Sequence, residues 1–336
     1  MMRVGVVGAG MIGRDHVRRL TSVISGVTVT AVADVDTGAA ARVAATTGAA
    51  VHPDGLAVVA AEDVDAVVVC SWGDTHETYV LAAVTAGKPV FCEKPLATSP
   101  EACLRIVEAE VAHGRRLVQV GYMRRYDTAY RALKNVLDSG TIGAPLMMHC
   151  AHRNAGVPAF YQPENTITDT AVHEIDMVRW MFGTEITAVR VLRPRPSRNA
   201  GGITDPVLLV LELANEMLVD VEISVNARYG YDIRGEILCE NGTVALADQN
   251  PITVRREGHL TSPVPADWRE RFSAAYDVEL REWAAAAVPD GPSAWDGYAA
   301  AVVSDAAVQS LRSEERVEIT LANRPELYDP TSGDLD

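Results

Sequence analysis

The chain has 336 residues, 48% of them hydrophobic, with 25 Gly and 17 Pro, which excludes a disordered or fibrous protein. Its 30 Lys and Arg stand against 45 Asp and Glu, a formal charge of −15 with no long run of either sign, so the clustered cations that nucleic acid requires are missing. The opening MMRVGVVGAGMIG enters an apolar run at once, without an export-signal layout, and no stretch approaches the ~18 apolar residues of a bilayer crossing. The expected location is the cytoplasm, with no membrane partner.

At about 100–200 residues per domain, the length favours two domains. Up to residue 122, short apolar runs at 3–7, 27–33, 66–70, 89–92 and 117–121 alternate with helical patterns at 11–20, 37–47, 77–86 and 100–113. That rhythm predicts a parallel sheet of the Rossmann type. Beyond 122, strand-like segments follow one another at 146–152, 186–193, 206–213, 218–225, 233–240 and 243–247. They predict an α+β domain with a large, mostly antiparallel open sheet, whose exposed face could serve self-association. The Asn241-Gly242 pair predicts a hairpin turn. Helical patterns fall at 128–137, 169–182, 269–287 and 294–311. The domains are therefore expected at 1–122 and 123–328, with a flexible tail over 329–336. Cys70, Cys92, Cys103, Cys150 and Cys239 are scattered, most of them in apolar runs, and read as reduced buried thiols; no Cys or His spacing supports a metal site.

The chemistry begins with Gly8-Ala9-Gly10-Met11-Ile12-Gly13, which follows the first strand and opens a helix. The first glycine allows the tight turn, the second lets the backbone approach a pyrophosphate, and the third lets helix pack on strand. Asp34 closes the second strand 21 residues beyond Gly13, where it can accept ribose hydroxyls and repel a 2′-phosphate, so NAD is expected over NADP. Arg14 and Arg42 are nearby cations that soften that preference. Ser71, Trp72 and His76 lie over the carboxyl edge of the sheet, where ligands of open α/β sheets bind. Cofactor contacts are thus expected at Gly8, Gly10, Met11, Ile12, Gly13, Asp34, Ser71, Trp72, His76, Glu93 and Lys94.

Glu93-Lys94-Pro95 follows a very apolar strand at the same edge, and the proline biases Lys94 out of the helical region. Further on, Asp169 and His173 stand four apart and Asp176 three further, so an uninterrupted helix puts all three on one polar face opposite Ala171, Ile175, Val178 and Phe182. A carboxylate beside an imidazole suits a proton acceptor near neutral pH. Hydride transfer from a secondary alcohol needs a base, a donor where alkoxide charge builds, and a fixed nicotinamide; His173, Lys94 and the glycine loop fit these in turn.

On these residues the chain resembles the glucose-fructose oxidoreductase/inositol dehydrogenase family over essentially its whole length. The shared pattern is the glycine fingerprint, Glu93-Lys94-Pro95, and the D-x-x-x-H of Asp169 and His173. The strings SWGDTHE, FCEKPLAT, RLVQVGYMRRYD, HCAHRN and AYDVE are similar to the bacterial branch that oxidises myo-inositol. The resemblance implies NAD-dependent oxidation of the axial hydroxyl of myo-inositol, in a homotetramer. It implies catalytic roles for Lys94, Asp169 and His173. It implies polyol contacts at Arg124, Tyr126, His152, Asn154, Asp176 and Tyr231 as well, and a polyol does need convergent donors and acceptors. Alternative expectations are the same chemistry on scyllo-inositol, chiro-inositol or a pyranose sugar, and a non-catalytic NAD-sensing protein.

Overall fold

The computed structural model describes residues 1–247, 252–286 and 288–329. By contact density the chain forms two units, one of residues 1–122, 276–301 and 321–329, the other of 123–247, 252–275 and 302–320.

The first unit is built on a six-stranded sheet from β1 (Met2–Val7), β2 (Val27–Ala33), β3 (Ala50–Val51), β4 (Ala66–Val69), β5 (Val90–Glu93) and β6 (Val118–Gly121). Their order is β3-β2-β1-β4-β5-β6 and every pairing is parallel. Strands covered on both faces must be apolar at consecutive positions, and Ala66, Val67, Val68 and Val69 all have 0% exposure. The connecting helices are α1 (Met11–Ser22), α2 (Thr37–Thr47), α3 (Gly55–Ala60), α4 (Gly73–Thr85) and α5 (Pro100–His113). Asp36, Asp54 and Ser99 cap α2, α3 and α5 through their side chains. Strand order reverses between β1 and β4, the switch point where such sheets bind ligands.

The second unit holds α6 (Thr128–Asp138), β7 (Pro145–Arg153), α7 (Val172–Phe182), β8 (Ile186–Leu192), β9 (Val207–Leu213), β10 (Leu218–Ser224), β11 (Asp232–Cys239) and β12 (Gly242–Ala245). A two-stranded hairpin, β13 (Val254–Arg256) and β14 (His259–Thr261), follows. Then come α8 (Trp268–Ala285), α9 (Ala294–Ser313) and the short β15 (Val317–Glu318). The seven-stranded sheet runs β12-β11-β7-β10-β9-β8-β15, antiparallel everywhere except β7 with β10. Buried and less buried residues alternate along β9 and β11, as a sheet with one face packed requires.

A boundary drawn at 122/123 from chain order differs from this division. Leu280 and Trp283 of α8 join the first unit's core with Leu20, Val68 and Phe91, and Tyr328 donates its hydroxyl to Glu110 Oε2 at 2.7 Å. Helices α8 and α9 each begin in one unit and end in the other. The expected hairpin forms one residue earlier than Asn241-Gly242 predicts: Cys239 pairs with Gly242, so Glu240 and Asn241 make the turn. Their N–H groups donate to Ala144 and Ile142 carbonyls, which anchors the turn there. Ala287 and the tail, apart from Asp329, lie outside the described residues. All five cysteines are free and buried.

Candidate active site

The glycine turn in the first unit has the shape of a phosphate cradle. Gly8 has φ +99°, and a Cβ there would lie 2.5 Å from the Cys70 carbonyl; a Cβ on Gly13 would lie 2.0 Å from Gly8 O. At Gly10 a Cβ would meet nothing within 4 Å, so this position opens onto free space. Gly10 caps α1 with no side-chain hydrogen bond, which leaves the first-turn N–H groups to an anion. Asp34 at the end of β2 accepts from Ala9 N at 2.5 Å and from Asp36 N at 2.7 Å, fixing its carboxylate over the turn. Gly8, Ala9, Gly10 and Asp34 wall a cavity of 540 Å³ together with Met11, Ile12, Ser71 and Trp72. Met11 and Trp72 are 53% and 69% exposed, large apolar surfaces suited to flat rings. Arg42, one of the two nearby cations, is paired with Asp36 at 3.4 Å.

His76 is buried, with Nδ1 2.7 Å from Pro95 O and Nε2 3.0 Å from Ser71 O. Burial pushes its pKa down against the two carbonyls, and the ring lies between the Ser71 loop and the loop after β5. Lys94 sits in that second loop, partly buried, and its backbone N–H donates to Glu93 Oε2 at 3.2 Å; the Lys94-Pro95 bond is cis.

In the second unit a π-helical segment, Thr166–Ala171, runs into α7. The uninterrupted α-helix expected over 169–182 is therefore broken just where Asp169 gives way to His173, a recurrent feature of functional sites. The three acidic and imidazole groups do not share an exposed face. Asp169 is exposed, whereas His173 and Asp176 are buried. Nearly the whole of α7 is buried, because its charges are paired: Glu174 with Arg124, Asp176 with Arg125 and Arg179 with Glu185.

The Arg124–Glu174 pair lies at the centre of a polar cluster. His152 Nδ1 is 3.0 Å from both Glu174 Oε1 and Arg124 Nη2. The His152 ring stands 6.4 Å from that of His173 and 5.5 Å edge-on to Tyr231, and Asn154 hydrogen-bonds His152. The Arg124 guanidinium also lies over Tyr130 and Phe272. Burial works against charge on Glu174, but Arg124 and His152 together outweigh it and hold the carboxyl below its ordinary range; burial pushes His152 down and Tyr231 up. Tyr126 is 5% exposed and stacked under Arg131 at 4.9 Å.

The structure thus groups Gly8, Gly10, Met11, Ile12, Asp34, Ser71 and Trp72 around one cavity, with Gly13 packed behind it against Gly8, and Arg124, His152, Asn154, His173 and Tyr231 in one cluster. Sequence reasoning missed Glu174, Arg125 and His16. The signal for Glu174 was a charge inside a helix whose other positions are apolar on several sides. Among the described residues no group of His, Cys, Asp and Glu is placed to hold a metal ion, and no helix is long and apolar enough to cross a membrane.

Residues 2–122 match the oxidoreductase family with an NAD-binding Rossmann fold, and residues 130–245 match the GFO/IDH/MocA C-terminal domain. The chain belongs to this family of NAD-binding oxidoreductases. It is 53% identical over 332 residues to inositol 2-dehydrogenase of Acidothermus cellulolyticus, covering 97% of both chains. It is 50% identical over 333 residues to inositol 2-dehydrogenase of Burkholderia ambifaria, covering 97% of this chain and 99% of that one. Among solved structures, myo-inositol dehydrogenase from Lactobacillus casei in complex with NAD(H) and myo-inositol is 39% identical, with a TM-score of 0.95 over 98% of this chain and 99% of that one.

Proposed function

We propose that this chain is an NAD-dependent inositol 2-dehydrogenase that oxidises myo-inositol to 2-keto-myo-inositol (scyllo-inosose). The observation that carries the reading is the identity of 50% or more, over nearly the whole chain, with proteins of that activity. NAD, when bound, accepts the hydride of the carbinol carbon. His173 takes the hydroxyl proton on its imidazole, the Lys94 ammonium stabilises charge building on the oxygen, and Asp169 assists. His152, Asn154 and Tyr231 meet the ring hydroxyls, with Arg124, Tyr126 and Asp176 completing the pocket. In this reading residues 1–122 hold NAD, while 123–328 bind substrate and form a homotetramer in the cytoplasm.

The test is a panel of initial rates, with myo-, scyllo- and chiro-inositol and pyranose sugars, each with NAD and NADP. The expected result is NADH formation fastest with myo-inositol; turnover of a sugar and of no inositol would overturn the assignment. A tetramer by light scattering is expected, and a monomer counts against the assembly.

The same panel tests Asp34. With its two backbone bonds fixing it over the turn, Asp34 repels a 2′-phosphate, so NADP should be a poor substrate. Asp34→Ala is expected to shift the NAD/NADP ratio of kcat/KM toward NADP by about 10- to 100-fold, the equivalent of one charged hydrogen bond. Equal use of both cofactors by the unmodified enzyme would show that Asp34 excludes nothing.

A further inference from the structure

His16 stands three residues after Gly13 on α1, outside the glycine fingerprint, and has no exposed surface. Its Nε2 lies 2.5 Å from Glu93 Oε1, while its Nδ1 is buried with no hydrogen-bond partner among the described residues. The ring is wedged between Phe91, edge-on at 5.6 Å, and Tyr276 at 5.7 Å. An imidazole with an acceptor at Nε2 and none at Nδ1 keeps its hydrogen on Nε2, so the assigned tautomer donates to the carboxylate. Arg19, also buried on the same helix, is held by Asp15 and Asp277.

Glu93 passes this constraint on. Its second oxygen accepts the backbone N–H of Lys94 at 3.2 Å. The carboxylate also lies flat against β6: a Cβ on Gly121 would sit 3.2 Å from Glu93 Cδ and Oε2, so there is little room to swing that way. A carboxylate held on both oxygens and backed by a strand is a rigid bracket, and what it brackets is the first backbone atom of Lys94.

We propose that His16 is a positioning residue for Lys94, acting through Glu93, so that the helix bearing the glycine turn also sets where the lysine side chain begins. The inference rests on the role proposed for Lys94. Without the His16 donor, Glu93 loses a partner inside the protein, and its carboxylate turns toward other donors, releasing the Lys94 N–H. A shift of about 1 Å in a reacting group costs up to about 10²-fold in rate, although nothing in the cofactor cavity has changed.

The experiment compares His16→Met, His16→Gln, Glu93→Gln and the His16→Met/Glu93→Gln double variant on the polyol that the unmodified enzyme turns over fastest. His16→Met is expected to lower kcat at least about tenfold with the NAD dissociation constant changed less than about twofold. His16→Gln, whose amide keeps a donor near the imidazole Nε2, should return kcat to within about threefold of the unmodified enzyme. Glu93→Gln should lose about as much as His16→Met, and the double variant no more than either alone, because the two act as one unit. Proton NMR of the protein without ligands should show a slowly exchanging ring N–H that disappears in His16→Met and moves in Glu93→Gln.

An unchanged kcat in folded His16→Met, multiplicative losses in the double variant, or no protected ring proton overturns the inference. So does a His16→Gln as slow as His16→Met at an equal thermal midpoint. If His16→Met fails to fold, the Gln variants and the ring proton decide. An unmodified enzyme inert toward every polyol and sugar overturns the functional reading itself, whereas turnover indifferent to His16 overturns only this step.

Discussion

Lys94→Ala and His173→Ala are each expected to cut kcat for myo-inositol oxidation by about 10²- to 10⁴-fold, with the NAD dissociation constant changed by less than about twofold. The separation of effects follows from where each side chain sits. Lys94 is not a wall residue of the 540 Å³ cavity formed by the glycine turn, Asp34 and Trp72, so truncating it leaves the nucleotide cradle whole. It follows β5, whose Val90, Phe91 and Cys92 have 0% exposure, and its backbone hangs from Glu93, so the strand survives the change. In the second unit, the charges of α7 pair through Glu174, Asp176 and Arg179, none of which needs the His173 ring. Both variants should therefore fold and bind cofactor.

A group that acts only as the proton or charge moves lowers kcat and kcat/KM together, whereas one that merely holds the polyol raises KM alone. Steady-state kinetics in both parameters, with NAD titrated by fluorescence, separate these outcomes. Normal turnover in either variant would remove that residue from the chemistry.

Much of the fold is legible in the sequence because its two sheets impose opposite patterns. Strands buried on both faces read as unbroken runs such as Ala66–Val69, and strands with one open face read as alternation, as along Leu218–Ser224. The glycine fingerprint is legible for a steric reason that the coordinates make explicit at Gly8 and Gly13. What the sequence leaves hidden depends on distant partners. The parallel pairing of β7 with β10 joins strands 71 residues apart at their first paired positions, Met147 against Leu218. The return of Leu280 and Trp283 to the first unit's core carries no local signal, since an amphipathic helix does not say which sheet it will cover. Nor does a helical period reveal that the turn before His173 widens into a π-helix, or that Glu174 faces inward to an arginine fifty residues earlier.

Arg124→Met is expected to destabilise the protein by about 3–5 kcal/mol at neutral pH, the cost of leaving one member of a buried pair alone. Arg124 and Glu174 are each 1% exposed, so neither recovers water when its partner goes. The sign of the pH dependence discriminates this from simple loss of packing. In the unmodified protein the Glu174 carboxyl is held below 4.5 and the His152 ring below 6.5. A group depressed on folding contributes stability that is complete above its unfolded value and is lost as pH falls, so the native protein should weaken progressively below about pH 6.5, with Glu174 adding to the loss below about pH 4.5.

Removing Arg124 takes away the strongest of the interactions that, with His152, outweigh burial at Glu174. Burial then pushes the carboxyl upward, and its contribution reverses: it is present at low pH and lost as pH rises. The stability gap between Arg124→Met and the unmodified protein should therefore be widest near pH 8 and narrow toward pH 5, measured by denaturant titration at each pH. Glu174→Gln placed on Arg124→Met should recover part of the loss at neutral pH, because it removes the stranded charge, and the two changes should couple strongly. A gap independent of pH would mean that Arg124 contributes through its packing over Tyr130 and Phe272, and that the ion pair is not what holds His152 in place.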